Sequence, residues 1–261
     1  MKLPPGQRAV QGFPRFGINL AHPPPATPEG MTIEIAGELT RHVSLAPVEL
    51  RDMPRREVVA DLHCVAGWSA VGLRWEGVAF SDVYRLVIEP ALAAGVRVRY
   101  VVFVGLDGYR SIVAQADALA DNVLLVDTLD GRALTADHGA PVRLISPDQY
   151  GFISTKHLCR IELYRSEPTG FYHPTKNIQR TLRTVRPHRR ARVWPEERHR
   201  YLPSWLVRRV YRLLVKLPTQ PLEYGPGATA PGEVPSIALG PTQPYANPEV
   251  DRRVRRKGDG R

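Results

Sequence analysis

Cys64 and Cys159 are the only two cysteines in 261 residues. So few exclude a disulfide-stapled scaffold, and a zinc site would have to draw mainly on histidine and carboxylate. No run of about 18 apolar residues occurs, so nothing reads as a membrane-spanning helix. The opening stretch, MKLPPGQRAVQGF, has neither an apolar core nor a twin arginine. No secretion signal is therefore expected, and a reducing, cytoplasmic location is the expectation. The common catalytic signatures are also missing: no Walker phosphate loop, no nucleophile elbow, no paired zinc-ligand motif and no Rossmann glycine fingerprint. Long helices are not expected either, because 25 prolines and 21 glycines imply many turns.

With 43% hydrophobic and 24% charged residues the composition is that of a globular protein, not of a disordered or fibrous one. The charge is lopsided. Residues 165–261 hold 20 Lys+Arg against 8 Asp+Glu, whereas residues 1–164 hold 16 against 18. A near-neutral body thus carries a basic appendage. Such a tail either wraps over the body or meets an acidic partner, anionic lipid or nucleic acid.

Three regions follow from the pattern. Residues 1–165 form the body, opening with a Pro/Gly-rich arm over 1–30 that is expected to lie against it. Residues 166–218 form the basic appendage, and residues 219–261 a Pro/Gly-rich tail expected to be mobile. In the body, TIEIAGEL, EVVADLHCV, VRVRYVVFV, NVLLVDTL, APVRLISP and KHLCRIELYR read as strands, with a weaker one around Arg132–Leu134 after the Asp130-Gly131 turn. Ser81 is placed to cap a helix running to Gly95, which Pro90 kinks or splits. The class expected is α+β, mostly β. In the appendage Leu202, Trp205, Leu206, Val210, Leu213, Leu214 and Leu217 recur at helical spacing, with Arg208, Arg209, Arg212 and Lys216 as a basic side. This helix either docks on the body or serves a membrane surface or partner.

Chemistry concentrates in two places. Cys64 ends an apolar strand, and Gly67 lets the chain turn just beyond it. A thiolate there can act as a nucleophile or a soft metal ligand, while most strand cysteines are small buried hydrophobes. A nucleophile would want a base, and the neighbouring His63 points to the opposite face of a strand. The second place is DHGAPVRLISPDQYGFISTKHL. His138, Arg143 and Lys156 supply cationic or hydrogen-bonding groups, Gly139 and Gly151 permit close backbone approach, and Ser154 and Thr155 add hydroxyls. The set suits an anionic ligand rich in heteroatoms, and it also suits an ordinary turn between strands.

Together, LHCVAGWSAVGLRWEGV and DHGAPVRLISPDQYGFISTKHLCRIEL resemble the molybdopterin-binding catalytic domain of the sulfite oxidase superfamily. The resemblance covers residues 11–165 and implies a mostly-β sulfite-oxidase-type fold, followed here by the basic helical or irregular appendage. It implies a molybdenum-molybdopterin oxidoreductase in which the Cys64 thiolate binds the metal, and a catalytic site that includes Trp68 beside it. It places the pterin contacts on His138, Arg143, Ser154, Thr155 and Lys156, with Arg15 of GFPRFG as a further phosphate or pterin contact.

Substrate is where the sequence departs from the family. Ser69 stands five residues after the cysteine, where sulfite oxidases carry an arginine. Ile153 stands where relatives have Arg or Lys, and Asp127 falls at a tyrosine position, where it would add negative charge if it faced the pocket. The Cys64–Ser69 stretch is similar to the methionine sulfoxide reductase branch, which also has Trp after the glycine. The resemblance therefore implies oxygen-atom transfer on a small sulfoxide-like or other oxo substrate rather than sulfite. The alternative is a non-catalytic binding protein that uses its tail for nucleic acid or anionic lipid. With no dimerisation or haem domain recognisable, a monomer served by a separate redox partner is expected. Nucleic acid is not expected as a partner, and peripheral contact with an anionic membrane stays open.

Overall fold

The computed structural model describes residues 3–4, 7–16, 23–64, 67–168 and Val193. All of these lie in the first of the two units into which the chain divides, Met1–Leu222; the second, Glu223–Arg261, lies outside the described residues. The amphipathic helix expected over 202–217 and the mobile tail expected over 219–261 likewise lie outside them. Among the described residues no helix is long and apolar enough to cross a membrane.

The architecture is α+β and mostly β, as the sequence pattern led us to expect. Among the described residues the strands run β1 (Arg8–Val10), β2 (Ile33–Ala36), β3 (Val43–Leu45), β4 (Arg55–Cys64), β5 (Trp68–Ala79), β6 (Tyr100–Gly105), β7 (Arg110–Ala114), β8 (Leu124–Leu129), β9 (Arg132–Ala133), β10 (Arg143–Ile145) and β11 (Leu158–Tyr164). They form two sheets. One has the order β1-β5-β8-β10, with β4 also on β5 and β9 on β8; the other has the order β3-β2-β11-β6-β7. Short helices α1 (Pro47–Arg51), α2 (Phe80–Val83) and α3 (Gln115–Ala118) fill corners.

Strand β8 is buried on both faces over its first three residues, Leu124 to Val126, which is why that stretch reads as a continuous apolar run instead of an alternation. Leu125 points into the main core with Ile33, Phe80, Phe103 and Leu144, whereas Leu124 and Val126 point into a second cluster with Phe13, Cys64, Trp68 and Trp75. On β4 the residues Val58, Ala60, Leu62 and Cys64 share that second face, at the two-residue period of a strand.

A bulge explains how Trp68 and Trp75, seven residues apart, can both face the second cluster. Ala60 pairs with Leu73 and Leu62 with Ala70, so Val71 and Gly72 together oppose Asp61. Gly72 has φ +69°, a conformation that favours glycine, and its N–H donates to the Asp61 carboxylate at 2.9 Å. The extra residue resets the alternation, so Trp68, Ala70, Leu73 and Trp75 all reach one face.

The expected Asp130-Gly131 turn is present, with φ +51° and +75° joining β8 to β9, as a two-residue hairpin of the right twist requires. The helix after β5 departs from expectation. It starts at Phe80 with Ala79, not Ser81, at the N-cap and with no side-chain cap. It then loosens into a π-helical turn, Tyr84–Ile88, and tightens into a 3-10 turn, Glu89–Ala91, leaving helical geometry at Leu92. Burial of Phe80 in the core fixes the start, and Pro90, which has no N–H to donate, breaks the α pattern at the end. Strand β6 begins at Tyr100, not at Val96.

Candidate active site

The arm of residues 1–30, expected to lie against the body, does so in its described part. Strand β1 pairs in parallel with the start of β5, matching Arg8 to Trp68 and Val10 to Ala70. Beyond β1, Phe13 stacks on His138 at 4.5 Å between ring centroids and 12° between planes, and meets Trp75 edge-on at 5.6 Å. Phe16 meets Trp68 edge-on at 5.5 Å. Arg15 pairs with Asp137 at 3.3 Å. The arm thus closes over the second cluster.

Cys64 ends β4 inside that cluster, 6% exposed and outside any disulfide. Its carbonyl accepts hydrogen bonds from the Gly67 N–H at 2.9 Å and from Gln7 Nε2 at 3.0 Å. Gly67 takes φ +88°, which turns the chain into β5. Cys64 pairs across the ladder with Trp68, and His63 with Ser69. Trp68 is 1% exposed, and its indole Nε1 has no hydrogen-bond partner among the described residues.

The second motif folds so that its loop lies against the first. Gly139, at φ +103°, packs where a Cβ would fall 2.9 Å from Lys156 Cβ and 3.1 Å from Arg143 Cβ. Gly151 packs where a Cβ would fall 2.7 Å from a Leu62 methyl group, and its N–H donates to the His63 carbonyl at 2.8 Å. Arg143 is 1% exposed and donates to the carbonyls of His138 at 2.9 Å, Ser154 at 3.0 Å and Leu144 at 3.4 Å. Its guanidinium lies 5.2 Å from the Trp75 ring centroid and 5.6 Å from that of Phe13. Lys156 Nζ donates to the Asp137 carbonyl at 2.7 Å. Arg15, His138, Arg143, Ser154 and Lys156 are thereby connected. The Ser154 hydroxyl accepts from the Ser146 N–H at 3.2 Å, and the Thr155 hydroxyl is bonded to Ser111 at 2.7 Å.

The electrostatics of this cluster are set by the fully buried Arg143 and the half-buried Lys156. Burial pushes Arg143 down to about 9, so it stays charged at pH 7. Burial, and then the repulsion of Arg143 and Arg15, pushes Lys156 down to about 7. Burial, then Lys156 and Arg143, pushes His138 to about 3. His138 is therefore neutral at pH 7, and of the two roles open to it, cationic or hydrogen-bonding, the neutral one applies. Among the described residues neither Arg143 nor Lys156 forms an ion pair with a carboxylate; their hydrogen bonds go to carbonyls. Buried charges are costly unless paired, so an anionic group rich in acceptors fits here; Trp68 Nε1 is a buried donor without a partner among the described residues.

A pH effect follows from Lys156. The unfolded chain holds that proton up to about 10.4, while the folded chain gives it up at about 7. Between those values the unfolded state binds more protons, so the stability of the cofactor-free protein should rise with pH through this window. The melting temperature of protein made in a host that lacks the cofactor should increase from pH 7 to pH 9, and Lys156→Met should flatten the increase. Equal slopes for the two proteins would contradict the assignment.

The sequence singles out three positions for substrate: Ser69, Ile153 and Asp127. Ser69 is fully buried on the face opposite Cys64, its hydroxyl 2.7 Å from His63 Nδ1 and donating to Gln7 Oε1 at 3.1 Å. Ile153, 1% exposed, belongs to the main core. Asp127 does not face the pocket. It accepts from Arg55 at 2.7 and 3.3 Å and pairs with Arg51 at 3.4 Å, and Arg55 lies at the opposite end of β4 from Cys64, nine residues away or about 30 Å along the strand. Its charge is held low in pKa and spent there. Sequence reasoning missed Gln7, Phe13, Phe16 and Asp137. The two phenylalanines in an arm otherwise rich in Pro and Gly were the available signal.

Residues 20–172 match the oxidoreductase molybdopterin binding domain. The chain is 30% identical over 176 residues to the uncharacterized oxidoreductase YuiH of Bacillus subtilis (strain 168), a match that covers 66% of this chain and 83% of that protein. It is 28% identical over 184 residues to the protein-methionine-sulfoxide reductase catalytic subunit MsrP of Xanthomonas axonopodis pv. citri (strain 306), covering 63% of this chain and 56% of that one. Sulfite oxidase of Arabidopsis thaliana is 28% identical over 174 residues, covering 55% and 44%. The chain thus spans most of the first relative and only part of the other two.

Proposed function

We propose a specific chemistry on the premise that the chain belongs to the oxidoreductase molybdopterin binding domain family and is a molybdopterin-dependent oxidoreductase. In our reading Cys64 is the thiolate ligand of molybdenum, and the site transfers an oxygen atom to or from a small neutral oxo substrate of the sulfoxide or N-oxide type rather than sulfite. Membership in an oxidoreductase family sets aside the alternative of a non-catalytic binding protein. When bound, the cofactor supplies a metal able to exchange an oxygen atom while changing oxidation state.

The chain's own residues divide the remaining work. Cys64 offers a soft, strongly donating thiolate from the end of a rigid strand. Arg143 and Lys156 hold the anionic part of the cofactor, and Arg15 closes over it from the arm. Neutral His138, stacked on Phe13, presents a hydrogen-bonding edge without adding positive charge. Trp68 walls the substrate side, and Phe13 and Phe16 exclude water. Electrons pass to or from a separate redox partner; the relative MsrP is itself named as a catalytic subunit.

The substrate reading is carried by one observation: neither position expected to hold a cation for sulfite offers one, because Ser69 is buried in an internal hydrogen-bond chain and Ile153 in the core. Sulfite is small and doubly charged, and each missing charged contact costs roughly 1.5–3 kcal/mol. Two such losses lower affinity by about a hundredfold or more. Reduction of a neutral sulfoxide with an artificial electron donor should therefore exceed sulfite oxidation measured with ferricyanide. Saturable sulfite oxidation at micromolar substrate, with no turnover of any sulfoxide, would overturn this substrate class.

A further inference from the structure

Beyond Glu167 and Pro168 the described chain consists of Val193, a residue from the middle of the basic appendage. Its placement is specific. The Val193 N–H donates to the Asp148 carbonyl at 3.0 Å, and the Tyr150 hydroxyl donates to the Val193 carbonyl at 3.1 Å. Both backbone polar groups of one tail residue are therefore bonded to a single loop. The side chain is 8% exposed and packs with Tyr150, which is fully buried, and with Phe152. A buried phenol needs a partner for its hydroxyl, and here the tail backbone provides it.

The loop so held belongs to the site. From Tyr150 onward it is a series of tight bonds: Ile153 N–H to the Tyr150 carbonyl at 2.8 Å, Ser154 N–H to the Gly151 carbonyl at 3.1 Å, and Gly151 N–H to the carbonyl of His63, the neighbour of Cys64. The Ser154 carbonyl takes one arm of the Arg143 guanidinium. A short chain of bonded backbone therefore joins Val193 to the end of β4 on one side and to Arg143 on the other.

We propose that Val193 is a backbone clasp that makes the basic appendage a positioning element of the site, holding the Asp148–Ser154 loop in the shape that presents Ser154 and Arg143 to the cofactor. The clasp itself stands on geometry alone; its consequence for the cofactor rests on the reading given under Proposed function. Because the clasp uses backbone atoms, Val193→Ala should largely preserve it. Val193→Pro removes the N–H donor, and Tyr150→Phe removes the other bond while keeping the ring.

The test is amide hydrogen exchange on the full chain together with its pterin content after production in a host that makes the cofactor. In Val193→Pro and in Tyr150→Phe, exchange at Gly151 and Ser154 should be roughly tenfold faster than in the wild type, with the amides of β11 unchanged, and bound pterin should fall severalfold. Unchanged exchange at Gly151 and Ser154 in both variants would overturn the clasp. Faster exchange with full pterin would overturn its role in positioning while leaving the cofactor assignment intact. A wild-type protein without pterin would fail the cofactor reading instead, and the exchange rates would still decide the clasp.

Discussion

Cys64→Ser should abolish turnover and remove the thiolate-to-metal absorption band, and the protein should still fold. Serine nearly matches the volume of cysteine, and Cys64 sits at a strand end where the backbone is already held by Gly67 and Gln7. The expected penalty for placing a hydroxyl in that apolar cluster is about 1–3 kcal/mol, within the margin of a domain of ordinary stability. What is lost is the soft donor. Cys159→Ser provides the contrast. That thiol is half-buried on β11, donates to the Val104 carbonyl at 3.5 Å and is pushed up in pKa by burial, so it is a poor thiolate. Its replacement should leave absorption and rate unchanged. Equal activity of the wild type and Cys64→Ser would end the assignment of the metal ligand.

Arg143→Ala carries the second large effect, on stability and cofactor together. The side chain is sealed between Trp75 and Phe13 and donates to three carbonyls. Alanine would leave those acceptors buried without a donor and open a cavity, at a cost of about 3–5 kcal/mol. Bound pterin should be lost as well, because the buried positive charge goes with the side chain. Arg143→Lys should restore part of each: the charge returns, but a single ammonium cannot span three carbonyls that a planar fork reaches at once. The check is a denaturant titration alongside pterin fluorescence after oxidative release. A variant Arg143→Ala with wild-type midpoint and full pterin would contradict both roles.

How far the sequence spoke for the fold depends on how local each signal was. Strands β2, β4 and β11 carry their alternation or apolar character within a few residues, and Asp130-Gly131 needs two positive φ angles that its residues supply. Strand β5 was not read, although with twelve residues it is the longest strand among the described residues. Its bulge at Gly72 breaks the period of two, so the pattern in WSAVGLRWEGVA matches neither a strand nor a helix. In the helix after β5 the break at Pro90 was legible, but the π-helical turn over Tyr84–Ile88 was not, because propensity says nothing of such a turn. At the site, Arg143 and Lys156 were visible through their motif. That Arg143 gives three of its five N–H donors to carbonyls, and that Asp127 on β8 pairs with Arg55 at the end of β4 far from Cys64, depend on pairings between residues 5 to 72 positions apart. Spacing along the chain could not supply these, nor the stacking of Phe13 on His138 across 125 positions.

Molybdenum and pterin content of the protein, purified from a host that makes the cofactor, bears most directly on the assignment of Cys64 as the ligand of a molybdopterin-bound metal. It should be about one metal and one pterin per chain, with the metal bound through Cys64, as the single-thiolate site requires. Protein that is folded, purified from such a host and repeatedly free of both molybdenum and pterin would contradict it.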